Sequence, residues 1–189
     1  MEPKTLLITG FMPFGSEDRN PSWEAVNALP ERIGAWKLYK LLLPVEFDRA
    51  AALAIEAARS CRADAVLSVG LAAGRTAVTP EAIGVNMRDA SIPDNAGQQF
   101  AGEPVDPNGP AAFFSTLPVR KMTEAIANAG VPAKLSYTAG TYVCNDLLYS
   151  LLSRFSGTPV RAAFVHIPLE KDLPLDRSIR ALTAAIEAI

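Results

Sequence analysis

The chain has 189 residues, of which 49% are hydrophobic and 20% are charged. This length and composition suffice to bury a full hydrophobic core, so we expect one domain, residues 1–189, and exclude disordered and disulfide-stapled proteins. The formal net charge is -2, and lysine and arginine are scattered along the chain. This distribution provides no cationic surface for nucleic acid or an anionic membrane, so the expected partner is a peptide or a small molecule.

Targeting signals and metal-binding patterns are missing from the sequence. The apolar stretch near the N-terminus, Thr5 to Thr9, is too short for a signal-peptide core or a membrane span. The two cysteines, Cys61 and Cys144, are too few for a disulfide framework and lack the spacing of a zinc site. These features predict a cytoplasmic protein. The single histidine, His166, must supply any base that works near neutral pH, and it rules out multi-histidine metal sites.

Apolar segments alternate with helical patterns, which predicts a largely parallel sheet covered by helices. The predicted strands are Lys4–Thr9, Lys37–Val45, Ala65–Gly70, Glu81–Met87, Ala133–Tyr137 and Arg161–Ile167. The predicted helices comprise one carrying Trp23, Val26 and Leu29, then Asp48–Arg59, one capped by Ser115 or Thr116 and ending at Gly130, Cys144–Phe155, and one carrying Ile179 to Ile189. The turn-rich segment 10–21 follows the first strand, and the proline- and glycine-rich segment 88–110 has the character of a functional loop.

Cys144 stands at the predicted start of an amphipathic helix. Free backbone N–H groups and the positive end of the helix dipole at this position favour a thiolate and stabilise an oxyanion. The same pattern fits a small residue that is simply buried, because cysteine is among the most buried residue types.

Two further residues have the chemistry to assist a thiol nucleophile. His166 lies at the end of an apolar strand, where parallel sheets build their sites, and Glu81 begins a strand in which an unpaired carboxylate would be costly. A core histidine satisfied by a carbonyl and an exposed strand-end glutamate are the alternatives. Cysteine, histidine and a carboxylate can form a catalytic triad, although spacing alone does not show that they meet.

Several segments, taken together and in order along almost the whole chain, resemble the pyrrolidone-carboxylate peptidase (pyroglutamyl peptidase I) family. The matching segments are Thr9–Gly15 with Asn20–Ser22, Thr79–Glu81, Asp89–Ala90 with Ile92–Asn95, Gly109–Ala112 with Phe114–Pro118, Thr138–Asn145 and Phe164–Pro168.

The resemblance implies a three-layer α/β/α hydrolase fold with a mostly parallel central sheet, and cleavage of pyroglutamyl peptides without metal or cofactor. It assigns Cys144 as nucleophile, His166 as general base and Glu81 as the residue that orients it. It further implies that Phe11 and Phe14 line an apolar slot for the flat lactam ring. Further pocket candidates, chosen because they flank matched motifs, are Asn20, Tyr142 and Val143. The resemblance also implies a homo-oligomer, either a dimer or a tetramer.

Two positions depart from the family pattern. Leu71 stands where many members have a glutamine, and Ser91 stands where an arginine is usual. Arg75 and Arg88 are the candidates to replace that arginine. The departures leave two other hypotheses open: a related thiol amidohydrolase acting on a different lactam or acyl substrate, and a binding protein that has lost turnover.

Overall fold

The most apolar segments of the chain form a six-stranded sheet in the computed structural model, which describes residues 4–15 and 18–189. Residues 16 and 17 of the predicted turn-rich segment lie outside the described part, as do residues 1–3. Across the sheet the strands run β2 (Arg32–Ile33), β3 (Trp36–Leu43), β1 (Lys4–Phe11), β4 (Ala65–Leu71), β10 (Arg161–Ile167) and β5 (Thr79–Glu81). The four central strands are parallel, and the two short edge strands are antiparallel to their neighbours.

Helices cover both faces of this sheet, because side chains on successive strand residues point to opposite sides. Leu6 and Ile8 pack under α1 (Pro21–Ala28), α3 (Val119–Asn128) and α5 (Leu175–Glu187). Leu7 packs on the other face, under α2 (Arg49–Ser60) and α4 (Val143–Arg154). The predicted three-layer α/β/α architecture with a mostly parallel sheet is therefore confirmed.

The segment 88–110, predicted as an irregular loop, contains one small antiparallel ladder and is flanked by the two strands of another. One joins β7 (Arg88–Asp89) to β8 (Ala101–Glu103), and the other joins β6 (Ile83–Val85) to β9 (Ala112–Phe114).

The predicted strand Glu81–Met87 is wrong as a single element. It divides after Glu81, which pairs in the main sheet, whereas Ile83–Val85 joins the small ladder. At the other end of the predicted strand, the side chain of Asn145 bonds the N–H and C=O of Val85 and the C=O of Met87, where β6 ends.

Two other predicted elements differ. Residues 133–137 make only isolated bridges, Val78 with Ala133 and Glu81 with Ser136. The predicted helix cap at Ser115 or Thr116 is wrong, because α3 begins only after Pro118. The Ser115 hydroxyl donates to the Glu81 carbonyl instead, and the Thr116 hydroxyl accepts from the Ala162 N–H.

Candidate active site

Three strands and one helix meet at the carboxyl end of the central sheet, where parallel sheets place their ligand sites. In the register of β10 with β4, His166 lies beside Gly70. The antiparallel edge strand β5 returns along β10, so that Thr79 pairs with His166 and Glu81 with Phe164. Residues distant in sequence are thus brought to one corner of the sheet.

Glu81 and His166 are in direct contact. The Nδ1 atom of His166 lies 2.8 Å from Oε1 of Glu81, the Glu81 side chain is fully buried, and His166 is 4% exposed. A carboxylate only accepts, so this contact assigns the ring proton to Nδ1 and leaves Nε2 free to accept a proton.

The electrostatics of this pair favour a neutral imidazole beside an ionised carboxylate. Burial lowers the pKa of His166, and the hydrogen bond and charge of Glu81 oppose that shift only in part. Burial would raise the pKa of Glu81, but hydrogen bonds and charge from His166, with contributions from Ser136 and Arg75, hold it below its usual value. His166 is therefore poised as a base at neutral pH.

Cys144 is the second residue of α4, which begins after Tyr142 in extended conformation. Its Sγ atom lies 3.0 Å from the point that a Cβ atom on Gly70 would occupy, so the thiol packs directly against β4 next to the His166 position. Among the described residues, no direct hydrogen bond joins this thiol to the imidazole.

The surroundings of Cys144 favour the protonated thiol at neutral pH, contrary to the expectation that the helix start favours a thiolate. Burial and the nearby negative charge of Glu81 raise the pKa of Cys144 to about 12. Arg75 and the backbone N–H of Cys144 lower it by less. Desolvation therefore outweighs the helix terminus, and Cys144 must lose its proton to a base when it attacks.

A cavity of about 370 Å³ opens beside Cys144. Its lining includes four of the five predicted pocket residues, namely Phe11, Phe14, Asn20 and Tyr142. The fifth, Val143, is fully buried and packs in the core between the sheet and α2 and α4.

The rest of the lining consists largely of residues that the sequence did not single out for a pocket: Gly15, Arg19, Val45, Ala73, Ile92 and Leu169, together with Leu71. Leu71 is the last residue of β4 and Ala73 follows that strand, so a position at a strand end was the sequence signal for these two residues. No sequence spacing points to Val45 or Leu169.

The polar side chains in this wall are already engaged. Asn20 accepts from the N–H and hydroxyl of Ser22 and donates to the carbonyl of Met12. The hydroxyl of Tyr142 donates to the carbonyl of Pro93. These bonds fix the shape of the loops around an apolar chamber.

The two candidate arginines occupy different environments. Arg75 donates a hydrogen bond of 2.6 Å from Nη1 to Oε1 of Glu81. Arg88 instead binds Asp146 and Asp48 and packs against the ring of Phe100. Only Arg75 therefore reaches the Glu81 corner of the site.

Comparison with known proteins places the chain in a family. The family model described as pyroglutamyl peptidase matches residues 4–189. The chain belongs to the pyroglutamyl peptidase family. The family predicted from the motifs is thus confirmed.

Individual members of the family are similar over nearly their whole length. Pyrrolidone-carboxylate peptidase of Levilactobacillus brevis is 46% identical, covering 97% of this chain and 96% of that protein. The crystal structure of pyroglutamyl peptidase I from Bacillus amyloliquefaciens matches with a TM-score of 0.93 at 39% identity, covering 98% of this chain and 96% of the other. Pyrrolidone carboxyl peptidase from Thermococcus litoralis gives the same TM-score at 33% identity, over 98% and 92% of the two chains.

In this member of the pyroglutamyl peptidase family, no helix among the described residues is both long and apolar enough to cross a membrane.

Proposed function

We propose that this chain is a cysteine peptidase that removes N-terminal pyroglutamyl residues, with Cys144 as nucleophile, His166 as general base and Glu81 as the group that orients it. As a member of the pyroglutamyl peptidase family, the chain is a cysteine-type hydrolase. The observation that carries the residue assignment is one juxtaposition. A largely apolar cavity has Cys144 in its wall, and the Glu81–His166 pair lies at the same strand ends.

The first chemical step is attack of Sγ of Cys144 on the carbonyl carbon that joins pyroglutamate to the next residue. Because the thiol is protonated at rest, its proton passes to Nε2 of His166 as the C–S bond forms. The imidazole becomes cationic, and the Glu81 carboxylate on Nδ1 stabilises this cation and keeps the ring in the productive tautomer.

The developing oxyanion needs hydrogen-bond donors near Cys144. The first intrahelical bond of α4 is donated by Asp146 to the carbonyl of Tyr142, so the preceding N–H groups of Val143, Cys144 and Asn145 are available. As the C–N bond breaks, the imidazolium donates its proton to the leaving amine and leaves a thioester. Water attacks this thioester and passes a proton to His166; as the C–S bond breaks, the imidazolium returns that proton to the sulfur, which releases pyroglutamate and restores the thiol.

The cavity suits a small, flat, neutral ring better than a charged side chain. The rings of Phe11 and Phe14 supply apolar faces, and the side chains of Asn20 and Tyr142 are committed to neighbouring loops. We therefore expect the N–H and C=O of the lactam to be read mainly by backbone groups.

Release of aminomethylcoumarin from its pyroglutamyl derivative tests this function. We expect thiol-dependent turnover by the natural chain and none by Cys144→Ala, with prolyl and alanyl derivatives as specificity controls. Faster cleavage of another lactam or acyl derivative would instead favour the related amidohydrolase hypothesis, which the apolar Leu71 in the cavity wall supports. No turnover of any derivative would favour the binding-protein hypothesis.

We also propose that the protein acts in the cytoplasm on peptides with an N-terminal pyroglutamate, as a homodimer or homotetramer. The two free cysteines support a reducing compartment. Light scattering coupled to size-exclusion chromatography measures the oligomeric state, and a monomer at micromolar concentration would contradict that part of the proposal.

A further inference from the structure

Arg75 lies in the connection between β4 and β5, and its guanidinium contacts three residues in two segments, Thr79 and Glu81 of β5 and Thr138 of the loop before α4. Nη1 donates to Oε1 of Glu81 at 2.6 Å and also to the hydroxyl of Thr79. Nη2 donates to the carbonyl of Thr138 at 2.9 Å. The side chain is only 28% exposed, so these bonds are partly shielded from water.

The Thr138 contact leads toward the nucleophile. Thr138 begins the short loop that passes through Gly140, where φ is +79°, and ends at Tyr142, directly before α4 and Cys144. Arg75 thus links the loop in front of Cys144 to the carboxylate that holds His166.

The Glu81 carboxylate depends on few donors for its orientation. Its Oε1 atom receives hydrogen bonds from both His166 and Arg75, whereas Oε2 is buried and lacks a hydrogen-bond partner within the described part of the chain. His166 and Arg75 therefore both act on one oxygen of a fully buried carboxylate, and removal of Arg75 takes away one of these two bonds.

We propose that Arg75 is a positioning residue of the reaction, which holds Glu81 against the imidazole of His166 and fixes the loop that carries Cys144. The proposal rests on the pyroglutamyl peptidase function proposed above and adds a fourth residue to its machinery. The contacts from Nη1 to Glu81 and from Nη2 to Thr138 use the two arms of the planar arginine fork, which lysine does not supply.

A cation at this position also acts on both reacting groups. The positive charge of Arg75 lowers the pKa of His166 and the pKa of Cys144. The other charged or titratable groups that face these two side chains are Glu81, which contacts His166, and Tyr142, two residues before Cys144, whose pKa the nearby Cys144 helps to raise. Removal of the Arg75 charge should therefore raise the pKa of Cys144, whereas release of Glu81 from the imidazole takes away a contact that raises the pKa of His166.

The test compares Arg75→Met with Arg75→Lys, using Arg49→Met as a control because Arg49 is an exposed, ion-paired arginine on α2. Because His166 is the single histidine, its imidazole NMR signal titrates without assignment ambiguity. We expect Arg75→Met to raise the pH at which iodoacetamide labels Cys144, and to shift the pKa of His166 because its contact with Glu81 is weakened. We expect kcat to fall about tenfold, equivalent to about 1.4 kcal/mol, with KM changing less.

Arg75→Lys should keep the pKa values of His166 and Cys144 near those of the natural chain but lose part of kcat. Arg49→Met should change neither the two pKa values nor kcat. Unshifted titrations of His166 and Cys144 in a folded Arg75→Met protein would overturn the proposal. If the methionine variant does not fold, Arg75→Gln replaces it as the neutral variant with the same expected shifts. The titrations need no turnover, so failure of this proposal is distinguishable from failure of the peptidase assignment.

Discussion

The sulfur of Cys144 lies 3.0 Å from the position that a Cβ atom on Gly70 would occupy. The same Cβ atom would lie 2.7 Å from Cζ of the buried Phe164 ring. Gly70 therefore allows α4 to bring its thiol against the strand that neighbours His166, and any side chain here would have to displace the nucleophile or the aromatic ring.

Gly70→Ala should reduce kcat/KM at least tenfold and destabilise the fold by about 1–3 kcal/mol, the usual cost of overpacking. Ser68→Ala on the same strand is the matched control, because the Ser68 hydroxyl is buried without a hydrogen-bond partner in residues 4–15 and 18–189. Kinetics and urea unfolding measure the two effects. Full activity in Gly70→Ala would mean that the site accommodates the extra methyl group and that the close approach is not required.

The two cysteines should differ completely in function. Cys144→Ala removes the proposed nucleophile and should abolish pyroglutamyl release, whereas Cys61→Ala should leave it unchanged. Cys61 lies just after α2, where its thiol contacts the carbonyl of Ala58 at 3.8 Å, and it is not part of the cavity beside Cys144. Rates of coumarin release measure the difference, and equal losses in the two variants would contradict the assignment of Cys144.

Glu81→Gln should lower kcat by on the order of a hundredfold or more, because the neutral amide no longer stabilises the imidazolium. It should also move the acidic limb of kcat/KM to lower pH. The sign follows from the pKa of His166: burial lowers it, and Glu81 raises it through its hydrogen bond and charge. Loss of Glu81 thus lowers it further, and the base stays neutral to lower pH.

The pH dependence of kcat/KM checks this result. If Glu81→Gln only raised KM, the carboxylate would be a substrate contact and not a partner of His166.

Leu71 and Ser91 should limit the rate on pyroglutamyl substrates. Leu71 lines the cavity and Ser91 is exposed next to Ile92, which also lines it. A missing hydrogen bond costs about 1–3 kcal/mol, or about tenfold to a hundredfold in rate. We therefore expect the double variant Leu71→Gln with Ser91→Arg to gain kcat/KM.

Separate kcat and KM values show where that gain lies: in KM if the new group binds the lactam, and in kcat if it stabilises the transition state. A folded double variant with unchanged kinetics would show that backbone groups or Arg75 already serve this purpose.

Arg88 should matter for stability. Its Nε atom donates at 2.7 Å to Oδ1 of Asp146, a fully buried carboxylate two residues after Cys144. Burial raises the pKa of Asp146, and Arg88 opposes that shift. Arg88→Met leaves this carboxylate without its cation and should cost about 3–5 kcal/mol in the free energy of unfolding.

The double variant Arg88→Met with Asp146→Asn should recover part of this loss, because it removes the buried charge as well as its partner. Denaturant unfolding measures both proteins. A loss below about 1 kcal/mol in Arg88→Met would show that Asp146 is neutral or hydrated in the folded state.

Strong local patterns were sufficient to predict the central elements of this fold. Strand Arg161–Ile167 has the predicted bounds, and α4 starts one residue from the prediction, because long apolar runs and helical spacing reflect burial directly. The family was likewise confirmed from motifs spread along the chain. Prediction failed where a distant side chain decides the backbone, as when Asn145 takes the hydrogen bonds of Val85 and ends the predicted strand.

The sequence by itself determined the chemical inventory: one histidine, two cysteines and a glutamate in an apolar strand. Only the tertiary structure decided that Glu81 meets His166 and Arg75, because an antiparallel edge strand folds back along β10. It also decided the protonation state of Cys144, since desolvation depends on packing from all sides whereas the helix terminus is a local feature. Local sequence patterns therefore determine the helices, the strands and the reactive residue types. Long-range packing determines the distances between the reactive side chains and their protonation states.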